Sequence, residues 1–515
     1  MTWEHPLAQL GLSLTLAFAA WGGCSSQTDA PHRPGPDASA GEDGGTDVGA
    51  DVEVDVDADA DVDADGPADS DSSAHEDVVD VLAEDPDSPN DQEVDAFEGD
   101  SDGDAEPDAG GGGLGEVELT LIDGAASTYY ATFQSHNQKV VANANGIFLT
   151  YVHAYDETGG EAQTKATWRL ARSTDGGSSF QTIFEATHAT KAPAIESGPG
   201  GDIFLIHPHW TDGNAYFYRF EASKGFANPT ISLVPGGSAG KYAMFFDAGR
   251  QQFSYLTWSD FFAINPWGTV SWKQKFFAAG ANAYPQYPHL TMTPDGITFA
   301  AWTTTAVTDH HYYDIHFLAS WNGGGSWGLP SPGQMVTLPV VCDDTGPAVP
   351  IVTPAETSMS SDRTNWLANA FYKDWKLHFL YSGTQDGGWS TRYVRYNWDW
   401  QDPKVDVRLG PTIPGDVMAL SSQDGFFASD EVVGSPVYLA ARTQDARIGV
   451  LRSADNGTTW HDHARSTYTP GGNKAIYAIG GARRLTTDGW MIGTFTEQDT
   501  GTGPHGVFFF RVKAQ

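Results

Sequence analysis

From residue 116 onward the chain repeats one pattern: a turn signal, then a strand's length of alternating apolar and polar positions. The unit occurs as Gly146-IFLTYV, Gly201-DIFLIH, Arg250-QQFSYLTW, Gly296-ITFAAW, Asp374-WKLHFLY, Gly434-SPVYLAA and Gly489-WMIGTF. Alternation with period two predicts half-buried β-strands. With Leu149, Leu205, Tyr255, Phe299, Phe379, Leu439 and Ile492 as centres, the spacing runs from 44 to 80 residues, and the longest interval holds a Pro/Ser/Thr-rich stretch around 330–366. Each unit has room for four short strands and their loops. Repetition of such sheets around an axis closes a ring and protects strand edges. The predicted fold is an all-β propeller of four-stranded antiparallel blades over residues 116–515, seven by this count, with six and eight as the neighbouring counts.

Composition agrees with strands and tight turns. The chain has 17 Trp, 19 Tyr, 27 Phe and 58 Gly, and no amphipathic helical pattern follows residue 115. The net charge of −39 is concentrated: residues 25–110 hold 30 Asp or Glu and one basic residue, Arg33. Such a stretch, which includes DVEVDVDADADVDADG, repels itself and buries nothing. Residues 25–115 are therefore expected to be a disordered, extended tether. Asp61, Asp63, Asp65 and Gly66 imitate the start of a calcium loop, but Ser72 stands where the closing Glu belongs. With the remainder mildly acidic, no basic surface exists to attract nucleic acid.

The apolar run Leu10–Ala20 (LGLSLTLAFAA) is too short to span a bilayer and leads into Trp21-Gly-Gly-Cys24. Small residues before a cysteine resemble the bacterial lipobox. That resemblance implies a signal peptide over 1–24, lipidation of Cys24, membrane attachment through that lipid, and export to an outer-membrane or cell-surface location, the alternative being plain secretion. The usual aliphatic residue is replaced by Trp21, and the first nine residues carry no Lys or Arg. The second cysteine, Cys342, reads as a small buried residue.

Ser173-Thr-Asp175-Gly-Gly177-Ser-Ser-Phe180 and Ser453-Ala-Asp455-Asn-Gly457-Thr-Thr-Trp460 share the spacing S-x-D-x-G-x-x-[WF]. Ser320-Trp-Asn322-Gly-Gly324-Gly-Ser-Trp327 is a third copy with Asn for Asp. The spacing suits a stabilised hairpin: the Asp or Asn oxygen accepts from backbone N–H groups, the Gly takes positive φ, and the aromatic plugs the turn. These motifs resemble the Asp boxes of sialidases and other BNR-repeat proteins. The resemblance implies structural turns between the outer two strands, on the face opposite the active site.

Ligand chemistry is then expected on the other face, where inner strands begin and second strands end. Just past the second-strand units stand His153, His207, His209, Trp258, Asp260, Trp302, Tyr381, Arg442 and Glu497; before the inner strands stand His136, Asn137, Tyr242, Tyr284, Tyr287 and Lys474. Aromatic faces cover sugar C–H surfaces, and polar groups bond hydroxyls or carboxylates. A sialidase would need an F/Y-R-I-P motif ahead of the first blade, and residues 129–138 contain no Arg. The stretches SHNQKVVANANGIFLTYVHAY and Ala283-Tyr284-Pro285-Gln-Tyr resemble segments of ulvan-lyase-like BNR polysaccharide lyases. That resemblance implies His136 or His153 as base and Tyr284 as acid, with Asn137, His207, His209, Trp258, Trp302, Tyr381 and Arg442 binding substrate. Where it calls for Arg after Tyr284, this chain has Trp302-Thr303. His310, His311 and His316 lack metal-site spacing, so neither metal nor cofactor is expected. Three functions remain: a lyase acting on an acidic extracellular polysaccharide, a non-catalytic glycan-binding propeller, or a scaffold for a surface protein.

Overall fold

Each sequence unit forms the second strand of an antiparallel sheet, because its alternating apolar residues are buried on both faces between neighbouring sheets. The computed structural model describes residues 114–514 apart from 134, 155–165, 190, 210, 281–282, 307–311, 330–333, 343–351, 353–363, 385–389, 398–404, 410–417 and 500–502. The signal peptide, Cys24 and almost all of the acidic tether expected from the sequence lie outside the described residues, as do His310 and His311.

Among the described residues seven sheets of four or five strands form the blades of a seven-bladed β-propeller, and one two-stranded pair lies outside them. Blade I spans 140–187, II 194–234, III 242–275, IV 283–336, V 365–408 and VI 420–465. Blade VII joins three C-terminal strands, Lys474–Gly481, Trp490–Asp499 and His505–Lys513, to the early strand Glu118–Ala126. Glu118 pairs with Arg511 and Leu119 with Phe510, so the two ends of the domain close the ring by hydrogen bonds. The preceding Gly115–Glu116 adds a parallel edge to blade VI. A short parallel pair, Phe277–Ala279 with Val340–Cys342, buries Cys342 beside blade IV. Among the described residues no helix is long and apolar enough to cross a membrane.

The core lies between blades. Phe148 and Trp168 of blade I meet Leu205 and Tyr218 of blade II, and Phe317 of blade IV meets Phe379 and Tyr396 of blade V. A fully buried side chain of this size contributes about 1.5–3 kcal/mol. Trp302 belongs to the seam of blades III and IV and Tyr381 to that of blades IV and V. Their strands run on to Ala306 and Gly383, so both side chains stop short of the strand ends and are fully buried between blades. This corrects their expected placement on the rim.

The three boxes close the turns between third and fourth strands. Ser173 Oγ accepts the Gly177 N–H (2.8 Å), and Asp175 Oδ1 accepts from Ser179 N (2.9 Å). The same bonds recur from Gly324 N to Ser320 and Ser326 N to Asn322, and from Gly457 N to Ser453 and Thr459 N to Asp455. Hydrogen bonds from Ser179 and Ser173 lower the Asp175 carboxyl to about 2. Gly177, Gly324 and Gly457 take φ of 94°, 96° and 85°. A Cβ there would strike Phe509, Phe261 and Tyr393, each on the third strand of the preceding blade. The box aromatics Phe180, Trp327 and Trp460 rest on those same rings, with centroids 5.0, 5.4 and 5.1 Å apart. Each box therefore locks two blades together, at the end of the ring away from the inner-strand starts.

The inner strands of blades IV–VII all depart from regular pairing: between Gln286 and His289, Leu367 and Asn369, Leu420 and Gly425, and Tyr477 and Gly480. Tyr287 and Ala478 take left-handed φ values of 50° and 55° inside these bulges. Bulges of this kind re-aim side chains and backbone groups, and here Tyr287, Ala368, Asp424 and Ala478, at or beside them, all meet the segment that leads into blade I.

Candidate functional site

What the bulges meet is the segment running from Ser127 into blade I. Thr132 bonds Ala478 O and Thr496 on blade VII (2.9 and 3.1 Å). Ser135 Oγ lies 2.9 Å from Ala368 O on blade V and 3.2 Å from Asp424 Oδ1 on blade VI. His136 stands edge-on to Tyr287 of blade IV, with centroids 5.5 Å apart. Gln138 bonds Ile195 O and Glu196 of blade II, and Arg483 closes on Glu196. The segment thus crosses the inside of the ring and touches five blades before entering the first.

Rings of this segment and of blades IV and VII form a run: Tyr129–Tyr477 (5.3 Å), Tyr477–Phe133 (6.0 Å), Phe133–Tyr287 (6.5 Å) and Tyr287–Tyr312 (5.6 Å). Trp366 backs Tyr287 at 4.2 Å. Tyr129, Tyr312 and Tyr477 remain partly exposed, while Phe133 and Tyr287 are buried. Blades I–III contribute the opposite chemistry. Lys139, Lys191 and Lys241 stand within three residues of three successive inner-strand starts, and all are buried. Lys191 Nζ lies 4.6 Å from the Tyr130 ring centre, Lys241 Nζ 5.4 Å from Tyr287 and Lys139 Nζ 5.7 Å from Tyr242. Burial, and then Lys191, depress the Lys139 ammonium well below the usual lysine value.

His136 is buried, and burial, followed by His289 and the Lys139 and Lys241 charges, holds its imidazole neutral. Its Nε2, both amide atoms of Asn137 and Gln286 Oε1 are buried without a protein hydrogen-bond partner. Such groups are costly to leave unmade and mark a place that water or a polar ligand satisfies.

The other sequence candidates are spread more widely. Half-buried His153 bonds Asp123 (2.7 Å), which also holds Arg169 (3.1 Å); this ties blade I to the ring-closing strand, away from the neighbours of His136. Tyr284 pairs with Thr305 on the blade IV inner strand. His207 is fully buried between Trp168 and His209, and His209 stacks on His188. Trp258 packs against the seam of blades II and III, and buried Tyr242 donates to Ala192 O (2.9 Å). Asp260 bonds Ser259 (2.7 Å) on blade III, and Glu497 pairs with Lys474 on blade VII, so these carboxylates belong to separate blades. Arg442 does reach the central cluster, with Nη1 3.4 Å from Ile476 O and its charge felt by Asp424. Half-buried His316 stacks on Trp302, and its loss of hydration lowers it to about 4. Among the described residues no three His, Cys, Asp or Glu side chains are placed to hold a metal ion.

Sequence reading overlooked the three lysines, Tyr129, Tyr130, Phe133, Tyr312, Trp366 and Tyr477. The signal for the lysines was available: each lies one to three residues before an inner strand.

No family model matches the chain, and no curated protein matches it. Solved structures do. A protein of unknown function from Dyadobacter fermentans is 12% identical, with TM-score 0.42, over 78% of this chain and 100% of that one. The polysaccharide lyase Uly1 is 11% identical, with TM-score 0.36, over 74% and 78%. An α-L-arabinanase from Penicillium chrysogenum, solved with arabinobiose, is 11% identical, with TM-score 0.38, over 76% and 98%. Likeness at this distance concerns architecture and leaves activity to the site.

Proposed function

We propose that the protein binds carbohydrate on the inner-strand face of the propeller, over the axial ring cluster, with preference for a ligand bearing negative charge. The observation that carries this reading is the cluster itself. Partly exposed Tyr129, Tyr312 and Tyr477 form a platform of aromatic faces and hydroxyls, suited to the alternating C–H and O–H surfaces of a sugar ring. Lys191 and Lys241, just before the inner strands of blades II and III, bias the local field toward anions, and the unpartnered polar atoms of His136, Asn137 and Gln286 are buried.

Affinity electrophoresis against a panel of neutral and uronic-acid polysaccharides tests the proposal. Retardation by at least one uronate polymer, lost in Tyr477→Ala, supports it. A blank panel, or equal retardation of Tyr477→Ala, overturns it.

A second reading, cleavage of such a polymer by β-elimination, rests on one observation: His136 stands edge-on to Tyr287 and has an unpartnered Nε2. Release of an ultraviolet-absorbing unsaturated product, abolished in His136→Ala, supports cleavage. Binding without product leaves the protein a receptor.

A further inference from the structure

Beside the axial platform, blade VII carries a cleft of about 520 Å³, a volume in the range of small-ligand sites. Its floor is apolar: Phe508 lies 5.6 Å from Tyr468 and stacks on buried Phe495 at 5.0 Å and 3°. Its polar wall comes from the end of the blade's second strand. Glu497 and Asp499 alternate to the same side of that strand, and Lys474 places its ammonium 2.5 Å from Glu497 Oε1. Gly506 pairs directly with Glu497, and a Cβ there would press on the Phe508 ring at 2.8 Å. Glycine therefore keeps floor and wall open to each other.

The cleft and the platform are joined. The Asp499 N–H donates to His505 Nδ1 (2.9 Å), which places the ring proton of the neutral imidazole on Nε2. The same imidazole stands edge-on to Tyr129, with centroids 6.1 Å apart. A ligand lying on Tyr129 and Tyr477 thus has a second aromatic floor, flanked by carboxylates and an ammonium, immediately outward along blade VII. Vicinal hydroxyls match that wall: carboxylates accept their protons, and the ammonium donates to their oxygens.

From this geometry we propose that the blade VII cleft is a second saccharide subsite and that the ligand is an oligosaccharide extending from the axis out over blade VII. The proposal rests on the carbohydrate reading of the axial platform. Two linked subsites raise affinity only for chains long enough to occupy both, so calorimetric titration with galacturonic-acid dimers, tetramers and hexamers tests it. The longer oligomers are expected to bind roughly tenfold or more tightly than the dimer. Lys474→Ala and Glu497→Gln should each remove that gain while leaving dimer affinity near wild type. Lys474 is partly exposed, so its variant separates loss of binding from loss of folding. Affinity independent of length, or a length gain that survives in both variants, overturns the subsite and leaves the axial platform standing. Absence of binding at every length overturns both.

Discussion

Ser135 Oγ and Asp424 Oδ1 lie 3.2 Å apart inside the ring, although 289 residues separate them in the chain. The other oxygen of the same carboxylate accepts the Ala478 N–H at 3.2 Å. Asp424 therefore pins the crossing segment to the bulges of blades VI and VII and fixes the floor on which the aromatic platform is built.

Burial lifts the Asp424 carboxyl to about 6, against the lowering effect of Ser135, Ala478 and Arg442. Between about pH 4 and pH 6 the folded protein holds a proton that the unfolded chain has released. Its contribution to stability therefore declines as pH rises through that window. Asp424→Asn keeps an acceptor for Ala478 and supplies a donor for Ser135, so the decline should disappear. Stability at pH 7 should rise by on the order of 1–3 kcal/mol. Denaturant titrations from pH 4 to 7 check this; an unchanged slope contradicts it.

Three histidines shielded wholly or partly from water act in the opposite direction. Burial lowers His209 and His316 to about 4 and His378 to about 3. Each stays neutral in the folded state while the unfolded chain takes up a proton below about pH 6.5. Their stabilisation is complete above that value and drains away as pH falls toward 4. His316→Gln should flatten part of the acid limb, by on the order of 1–3 kcal/mol near pH 4. Midpoints for wild type and variant at pH 7 and pH 4.5 report it; equal acid losses would sink the assignment.

Trp327 is fully buried on Phe261 of the neighbouring blade and donates to Gly324 O (2.9 Å). Trp327→Ala should cost about 3–5 kcal/mol. Glycan affinity below the lowered melting temperature should be unaffected, because the box closes the far end of the ring. A melt paired with a binding titration separates the two effects; a weakened affinity in the still-folded variant would refute the structural role.

His153 and Arg169 share Asp123 on the ring-closing strand. Asp123→Ala removes both partners at once and should lower stability by about 1–3 kcal/mol, speeding proteolytic release of the segment up to Ala126. His153→Ala should leave glycan binding and any turnover intact, measured on the same panel. Loss of turnover in that variant alone would restore the catalytic role its sequence position suggested.

The blades and boxes were legible because their signals are local. A strand's alternation spans seven or so residues, and a box spans eight, as in Ser173–Phe180. The axial site is assembled otherwise. Thr132 meets Thr496 across 364 positions and Ser135 meets Ala368 across 233, so no window along the chain holds both partners. Counting outward from strand ends picked out His136, ahead of the first inner strand, and Tyr287, which lies inside the blade IV inner strand at its bulge. It failed for Trp302 and Tyr381, whose strands continue beyond them into buried seams. His153 lies at the expected strand end, but its partner Asp123 is on a strand that pairs with the C-terminal blade.

The central claim is that the ring cluster over the axis holds sugar. Calorimetric titration of wild type, Tyr477→Ala and Trp327→Ala with the galacturonic-acid hexamer tests it most directly. The account predicts saturable binding by wild type and Trp327→Ala, and affinity roughly five- to tenfold weaker in Tyr477→Ala, as loss of one stacking ring worth about 1–1.5 kcal/mol requires. Equal affinity in wild type and Tyr477→Ala, or no binding by any of the three, would contradict it.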